Sequence, residues 1–365
     1  MRYIDEFRDR VLIEKILSKI NELSLDKGIC LMEVCGTHTM SIHRHGLPAL
    51  LPKYIKLISG PGCPVCVTTN DYIDRAIAYS KLDDCIVVTF GDMLKVPGSN
   101  SNLQFVKADG AHVEVVYSAI DAVELAQGNP NRKVIFLGIG FETTAPTIAA
   151  SILEAKKRNI KNYFVLSTAK TMPLALKALA EDTEIKINGF ILPGHVSAII
   201  GSRTYEFIPK RYKIACVIAG FEPLSILDGI YMLALQIKEN IQKVQIQYRW
   251  VVKPDGNPKA QEVMYEVFEP CDCEWRGLGL IEGSGLRIRD EYKAFDAEAN
   301  ISVETARPIE QKGCICGEVI KGKRTPTDCA LFGKSCNPES PYGPCMVSSE
   351  GACSAYYKYG GKDWS

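Results

Sequence analysis

Fourteen cysteines are spread over 365 residues, and six crowd the closing stretch as Cys314-x-Cys316, Cys329, Cys336, Cys345 and Cys353. A buried cysteine packs as a small hydrophobe and needs no company. Six thiols on a Gly/Pro-rich, poorly apolar stretch point instead to a polynuclear metal site or a thiol redox relay. Zinc ribbons present paired Cys-x-x-Cys knuckles, and this stretch has none. Its intervals of one, twelve, six, eight and seven residues suit four ligands of an iron–sulfur cluster with two thiols left over. Zinc on four of the six is the second reading.

Two further motifs carry chemistry. Gly60-Pro61-Gly62-Cys63-Pro64-Val65-Cys66 follows an apolar run and has the spacing of thiol oxidoreductases, where a helix N-terminus supplies thiolate. Half a zinc site is the rival, and it lacks a second pair nearby. Glu33-Val34-Cys35-Gly36-Thr37-His38-Thr39 puts Cys35 and His38 three residues apart, on one face of a helix. A thiolate with an imidazole suits a thiophilic transition metal; a packed cysteine beside a capping threonine is the alternative. Cys30, Cys85 and Cys216 lie in apolar strand contexts and read as packing. Cys271-Asp272-Cys273 fits no pattern. Gly138-x-Gly140 lacks the third glycine of a dinucleotide fingerprint, which argues against NAD. His43 and His45 flank Arg44 and read as solvated surface, whereas His195, after Pro193-Gly194, reads as a cleft residue.

These residues need elements to hold them. Strand-length apolar runs occur at Ile29–Val34, Ile55–Ser59, Ile86–Phe90, His112–Val116, Val134–Ile139, Phe164–Ser167, Gly189–Leu192 and Ile214–Ile218. Several are apolar throughout, as strands covered on both faces are. Helical periodicity marks residues 5–24, 72–80, 119–126, 147–158 and 173–180. The alternation predicts an α/β fold with doubly wound parallel sheets. Two runs echo each other: one ends in Gly140-Phe141-Glu142, the other in Gly220-Phe221-Glu222. Two similar units would face one another across a cleft lined by these strand-end loops, with Asp92, Glu142 and His195 at its mouth. The expected division is an N-terminal helix over 1–24 packing with a third domain, a first α/β domain over 25–130, a second over 131–240, and a Cys-rich domain over 241–365 whose order depends on its metal.

Lys+Arg and Asp+Glu each number 43, so no bulk basic field favours nucleic acid. The charged N-terminus lacks a signal-peptide core, and no apolar run is long enough to span a bilayer. The expected location is cytoplasmic, where clustered thiols serve as ligands or redox groups rather than structural disulfides.

Taken together, Cys35-Gly-Thr-His38-Thr, Gly60-Pro-Gly-Cys63-Pro-Val-Cys66, Gly91-Asp92, Gly140-Phe-Glu-Thr-Thr-Ala-Pro146, Pro193-Gly-His195 and the six-cysteine tail resemble the HypD family of hydrogenase maturation factors over essentially the whole chain. The resemblance implies an assembly scaffold, not an enzyme in the usual sense, for the Fe(CN)2CO group of [NiFe] hydrogenases. It implies two Rossmann-like domains flanking a cleft with Cys35, His38, Cys63 and Cys66, where Fe(II) transiently carries CN and CO. It implies a [4Fe-4S] cluster on Cys314, Cys329, Cys336 and Cys353, with Cys316 and Cys345 as a redox pair beside it, similar to ferredoxin:thioredoxin reductase. The implied partners are the chaperone HypC and the cyanide carrier HypE. A cluster-dependent thiol-disulfide reductase and a zinc-stabilised, non-redox interaction protein are the other function classes.

Overall fold

A computed structural model describes residues 8–25 and 27–360. All eight strands expected from the apolar runs form: β1 (Ile29–Glu33), β2 (Ile55–Ser59), β3 (Cys85–Thr89), β4 (Val113–Val115), β5 (Lys133–Gly138), β6 (Tyr163–Ser167), β8 (Gly189–Leu192) and β9 (Ala215–Ile218). To these the structure adds β7 (Ala169–Lys170), β10 (Val244–Ile246), β11 (Phe268–Trp275) and β12 (Gly279–Ile288). The first sheet is parallel in the order β10-β9-β8-β1-β2, and the second is parallel in the order β4-β3-β5-β6. Counted by appearance within each sheet, the orders are 5-4-3-1-2 and 2-1-3-4, one doubly wound topology used twice.

Sheet membership cuts across the expected boundary at residue 130. β1, with β2 on its other edge, pairs with β8 rather than β3, so the second sheet is built from a segment lying between the two parts of the first. Periodicity marks strands but not partners, and only the pairing reveals this arrangement. The Gly-Phe-Glu echo also proves local. It joins β5, the third strand of its sheet, to β9, the fourth of the other.

The N-terminal helix is Arg10–Glu22, started by Asp9, whose carboxylate accepts the N–H groups of Val11 and Leu12. Residues 5–7 of the expected helix lie outside the described residues. Ile16, Ile20 and Leu23 are buried against Ile226, Ile230 and Leu233 of the helix Pro223–Lys238. Each such aliphatic contributes roughly 1.5–3 kcal/mol on burial. The helix therefore belongs to the first sheet and not to the Cys-rich region, as was expected of it. Its apolar stripe finds the nearest uncovered apolar face, which the polar tail does not offer.

The Cys-rich tail is not a separate body with its own core. Cys316, Ile320 and Cys345 share one buried cluster with Cys63, Val65, Cys66 and Trp275. Its short helices, Cys316–Ile320, Pro344–Val347 and Ala352–Tyr359, lie on the loops that follow β1 and β2. Ahead of it, β11 and β12 form an antiparallel hairpin that pairs with β7. No helix among the described residues is long and apolar enough to cross a membrane.

Candidate metal and thiol site

In a doubly wound sheet the crevice opens where the strand order reverses, beyond the carboxyl ends of the strands. In the first sheet that point lies between β1 and β8. The loop after β1 carries Cys35, and the loop after β8 carries Pro193-Gly194-His195. In the second sheet it lies between β3 and β5, which lead into Gly91-Asp92 and Gly140-Phe141-Glu142. Cys35, His195, Asp92 and Glu142 thus follow strands at the two switch points, while Cys63 and Cys66 follow the neighbouring edge strand β2.

Cys35 precedes the helix Gly36–Arg44, and Cys63 precedes the short helix Pro64–Val67. The strands that lead to them are neighbours in register, Glu33 beside Ser59. Gly36 N–H donates to the Gly62 carbonyl at 3.0 Å. A Cβ at Gly62 would overlap the backbone of Cys35, so glycine there is a requirement of close approach.

Cys35 is buried. Burial, aided by Glu350 and Glu33, pushes its thiol up to about 12, while hydrogen bonds from the backbone of His38 and Thr37 pull the other way. Without a cation nearby this sulfur stays protonated; binding a metal releases its proton. Glu33 is buried too, and burial lifts its carboxyl to about 7. It accepts Thr39 Oγ1–H at 2.5 Å and Cys35 N–H at 3.1 Å. From the tail, Glu350 accepts Thr37 Oγ1–H at 2.7 Å.

His38 is fully buried. Its Nε2 lies 3.2 Å and 3.1 Å from the carbonyl oxygens of Ala219 and Gly220, so Nε2 carries the proton and donates. Burial lowers its pKa to about 4, and the ring is neutral. Nδ1 is buried without a partner among the described residues. One nitrogen anchored on a carbonyl, with the other left as a bare lone pair, is the arrangement of a metal-ligating histidine. Phe221 packs against both imidazoles, 4.8 Å from His38 and 4.0 Å from His195 between ring centroids.

From this loop a file of thiols runs into the tail. Cys63 Sγ accepts Cys66 N–H at 3.3 Å and donates to Ser348 Oγ at 3.4 Å. Cys66 is in hydrogen-bonding reach of Cys63 and Cys345. Cys345 Sγ stands 2.7 Å from Cys316 Sγ, which in turn meets Cys314. Burial holds the Cys66 thiol well above its usual range. Cys329, Cys336, Cys353, Phe332 and Met346 gather in a small satellite core. Cys336 Sγ accepts Tyr342 N–H at 3.4 Å. A Cβ at Gly343 would fall 2.7 Å from Cys314 Sγ, so the space over that sulfur is kept open by the lack of a side chain. Backbone N–H donors to sulfur and open space beside thiols fit an iron–sulfur cluster. Among the described residues no three His, Cys, Asp or Glu side chains are set as ligands of one metal ion; a four-iron cluster holds its thiolates further apart than a single ion does.

Of the supporting residues, Asp92 is exposed; burial raises the Glu350 carboxyl and the charge of Asp92 adds to it. Glu142 is buried. Its Oε1 accepts Met172 N–H at 2.9 Å, capping the helix Met172–Glu181, and its Oε2 has no partner among the described residues. Burial lifts its carboxyl to about 7. The folded form therefore binds a proton that the unfolded chain has released between about pH 4.5 and 7. The stability this gives is full at pH 4.5 and is lost as pH rises through 7, a change of up to about 3 kcal/mol. Glu142→Gln is expected to melt with wild type at pH 5 and above it at pH 8. Equal melting temperatures at both pH values would remove Glu142 as the cause.

Cys85 and Cys216 are fully buried in their strands and Cys30 is half-buried, as expected of packing. His43 departs from the surface expected of it. Its ring stands 4.1 Å from that of Tyr356 in the tail, because the tail covers this face. Sequence reading passed over Ser348, Glu350 and Arg276, and gave Glu33 no role although it opens the Cys35 motif. Arg276, 6% exposed, donates to Thr68 O, Asn70 Oδ1 and Glu310, tying the Cys66 loop to the tail. A lone arginine in an unrecognised hairpin gives no periodic signal.

A family profile described as "HypD: Hydrogenase formation hypA family" matches residues 11–360. The chain is 43% identical over 372 residues to the hydrogenase maturation factor HypD of Rhodobacter capsulatus, covering 99% of each. It is 44% identical over 368 residues to that of Escherichia coli K12, covering 98% of each. With the hydrogenase expression/formation protein HupD of Azotobacter chroococcum it shares 42% over 368 residues, 99% of this chain and 97% of that one.

Proposed function

The chain belongs to the HypD family of hydrogenase maturation factors, and we propose that in this role it holds iron at Cys35 while CN and CO are added, and supplies electrons for cyanide transfer. The observation that carries the reading is the unbroken file Cys63, Cys66, Cys345, Cys316, Cys314, which starts beside Cys35 and ends among the tail cysteines.

Cys35 provides a soft thiolate and His38 Nδ1 a second donor; both suit low-spin Fe(II) with CN and CO. A carrier of the HypE type presents cyanide as a thiocyanate, and a small chaperone of the HypC type shares the iron. Cyanide release takes two electrons. A Cys63/Cys66 dithiol supplies them: R–S–CN and two thiols become R–SH, HCN and a Cys63–Cys66 disulfide. Cys345, next to Cys66, then attacks that disulfide by ordinary exchange. Cys316 resolves the mixed disulfide, leaving Cys63 and Cys66 reduced and Cys316–Cys345 oxidised. Cys314, Cys329, Cys336 and Cys353 would hold a [4Fe-4S] cluster, which would supply the single electrons that pair needs. Glu350 and Ser348 from the tail hold the Cys35 and Cys63 loops in place.

The relay is tested by mass mapping of mildly oxidised, alkylated protein with its cluster intact. A Cys316–Cys345 link that disappears on reduction is expected. In Cys316→Ser, lacking the resolving thiol, a Cys66–Cys345 link should accumulate. Free alkylation of both Cys316 and Cys345 after oxidation would leave only a structural role for the pair.

A further inference from the structure

Cys271 and Cys273, which fit no motif, lie on β11 where its pairing with β12 shifts register between them. Alternate residues of a strand share a face, and the extra residues of the irregularity lie on β12, between Ile281 and Gly285. A Cβ on Gly285, the partner of Cys271 in the ladder, would meet Cys273 Cβ at 2.6 Å and Cys271 Sγ at 2.9 Å. Both side chains thus bear on one spot. Both thiols are part-exposed and line a cavity of about 290 Å³ with Tyr72, Ser167 and Arg287.

Beneath them lies Lys170, 1% exposed. Its Nζ donates to Cys273 Sγ at 2.9 Å and to Thr168 Oγ1 at 3.0 Å, and stands 5.8 Å from the Trp275 ring centre. Among the described residues no carboxylate pairs with this ammonium. A buried cation calls for a counter-charge, and the Cys273 sulfur is the neighbour able to provide one.

We propose that Cys273, Cys271 and Lys170 form a second thiol–disulfide exchange site, separate from the file of thiols in the tail, that accepts a small disulfide from the cavity. Cys273 attacks the disulfide R–S–S–R and one R–SH leaves, taking a proton. Cys271 attacks the mixed disulfide at Cys273 and the second R–SH leaves with the other proton. Two protein thiols become one disulfide, and the small disulfide becomes two thiols. Lys170 stands beside the sulfur that must carry negative charge in both steps. The site touches the rest of the molecule directly. Two residues beyond Cys273, Trp275 stacks on Phe141 at 5.7 Å, and Arg276 N–H donates to Val67 O at 2.8 Å, next to Cys66.

The test exposes reduced, full-length protein to substoichiometric oxidised glutathione without oxygen, then alkylates and maps it. A Cys271–Cys273 disulfide is expected in wild type, with glutathione trapped on Cys273 in Cys271→Ser. Lys170→Met should slow the trapping about threefold or more, because the sulfur that must carry negative charge loses the amine beside it. Cys30, half-buried in β1 away from both thiol groups, is the internal reference. Trapping on Cys273 no faster than on Cys30, or at an unchanged rate in a folded Lys170→Met, Cys271→Ser double variant, overturns the proposal. Should the lysine variant fail to fold, the comparison of Cys273 with Cys30 in Cys271→Ser decides alone.

Discussion

In the Cys35→Ala variant, purified anaerobically with its partners, the infrared bands of CN and CO are expected to vanish while the brown chromophore of the tail persists. The magnitude follows from position. Cys35 stands at the switch point of the first sheet; burial keeps its thiol protonated until a cation arrives, and the backbone of His38 and Thr37 is placed to hydrogen-bond the sulfur. Removing it takes away the one soft, charged donor that β1 delivers to the crevice. His38 Nδ1, a neutral donor, does not hold an iron ion alone. The tail is unaffected, because its contacts to this loop run through Gly36 and Thr37 rather than through the Cys35 sulfur. Bands of wild-type intensity in the variant would move the iron elsewhere and end the assignment.

Alanine at Cys336, or at Cys314, Cys329 or Cys353, is expected to remove the chromophore and the acid-labile sulfide and to loosen residues 314–359. Cys316, Ile320 and Cys345 are held by the main core, but the satellite core beside Cys329 and Cys336 has, among the described residues, three buried members, Phe332, Cys336 and Met346, too few to order the loop over 329–343 by apolar burial alone. On the proposed ligand set, a cluster that binds only the folded tail would make up the difference, since binding energy of that kind is folding energy. The loosening should spread. Glu350 and Ser348 brace the Cys35 and Cys63 loops, so limited proteolysis should report faster cutting in the tail together with faster alkylation of Cys63 and Cys66. Wild type without labile sulfide, or four variants that all keep it, would refute the ligand set.

The parallel strands were legible because burial on both faces writes itself as short Val/Ile-rich runs. β1, β3, β5, β8 and β9 needed little more. Strand partnership was not legible, since a run such as Gly189–Leu192 says nothing of whether it pairs with β6 or β1. The hairpin β11–β12 was hidden for another reason. Its first strand buries only its ends, Phe268 and Trp275, and places Pro270, two cysteines and three acids between them. Of the site, Cys35, His38, Cys63 and Cys66 could be found from spacing after a strand. Glu33 and Glu350 could not. Each acts through a contact made in space, Glu33 through Cys35 N–H and Glu350 through Thr37, with no interval in sequence to mark it.

The interleaved sheets have a consequence for how the chain is made. Emerging from the ribosome, residues 85–167 can complete the second sheet by themselves, with strand neighbours close in sequence. β1 must wait for β8, some 155 residues later, and loops of that length close late. Until Gly189–Leu192 arrives, β1 and β2 are a pair with one edge unmatched, and the crevice beside Cys35 has no second wall. The tail that braces this loop comes later still. A nascent chain thus exposes Cys35, Cys63 and Cys66 as unorganised thiols for most of its synthesis, and only the finished molecule presents them as a site. On the proposed reading, loading with metal waits for the end of translation, and a truncated product would not compete for iron on the same terms.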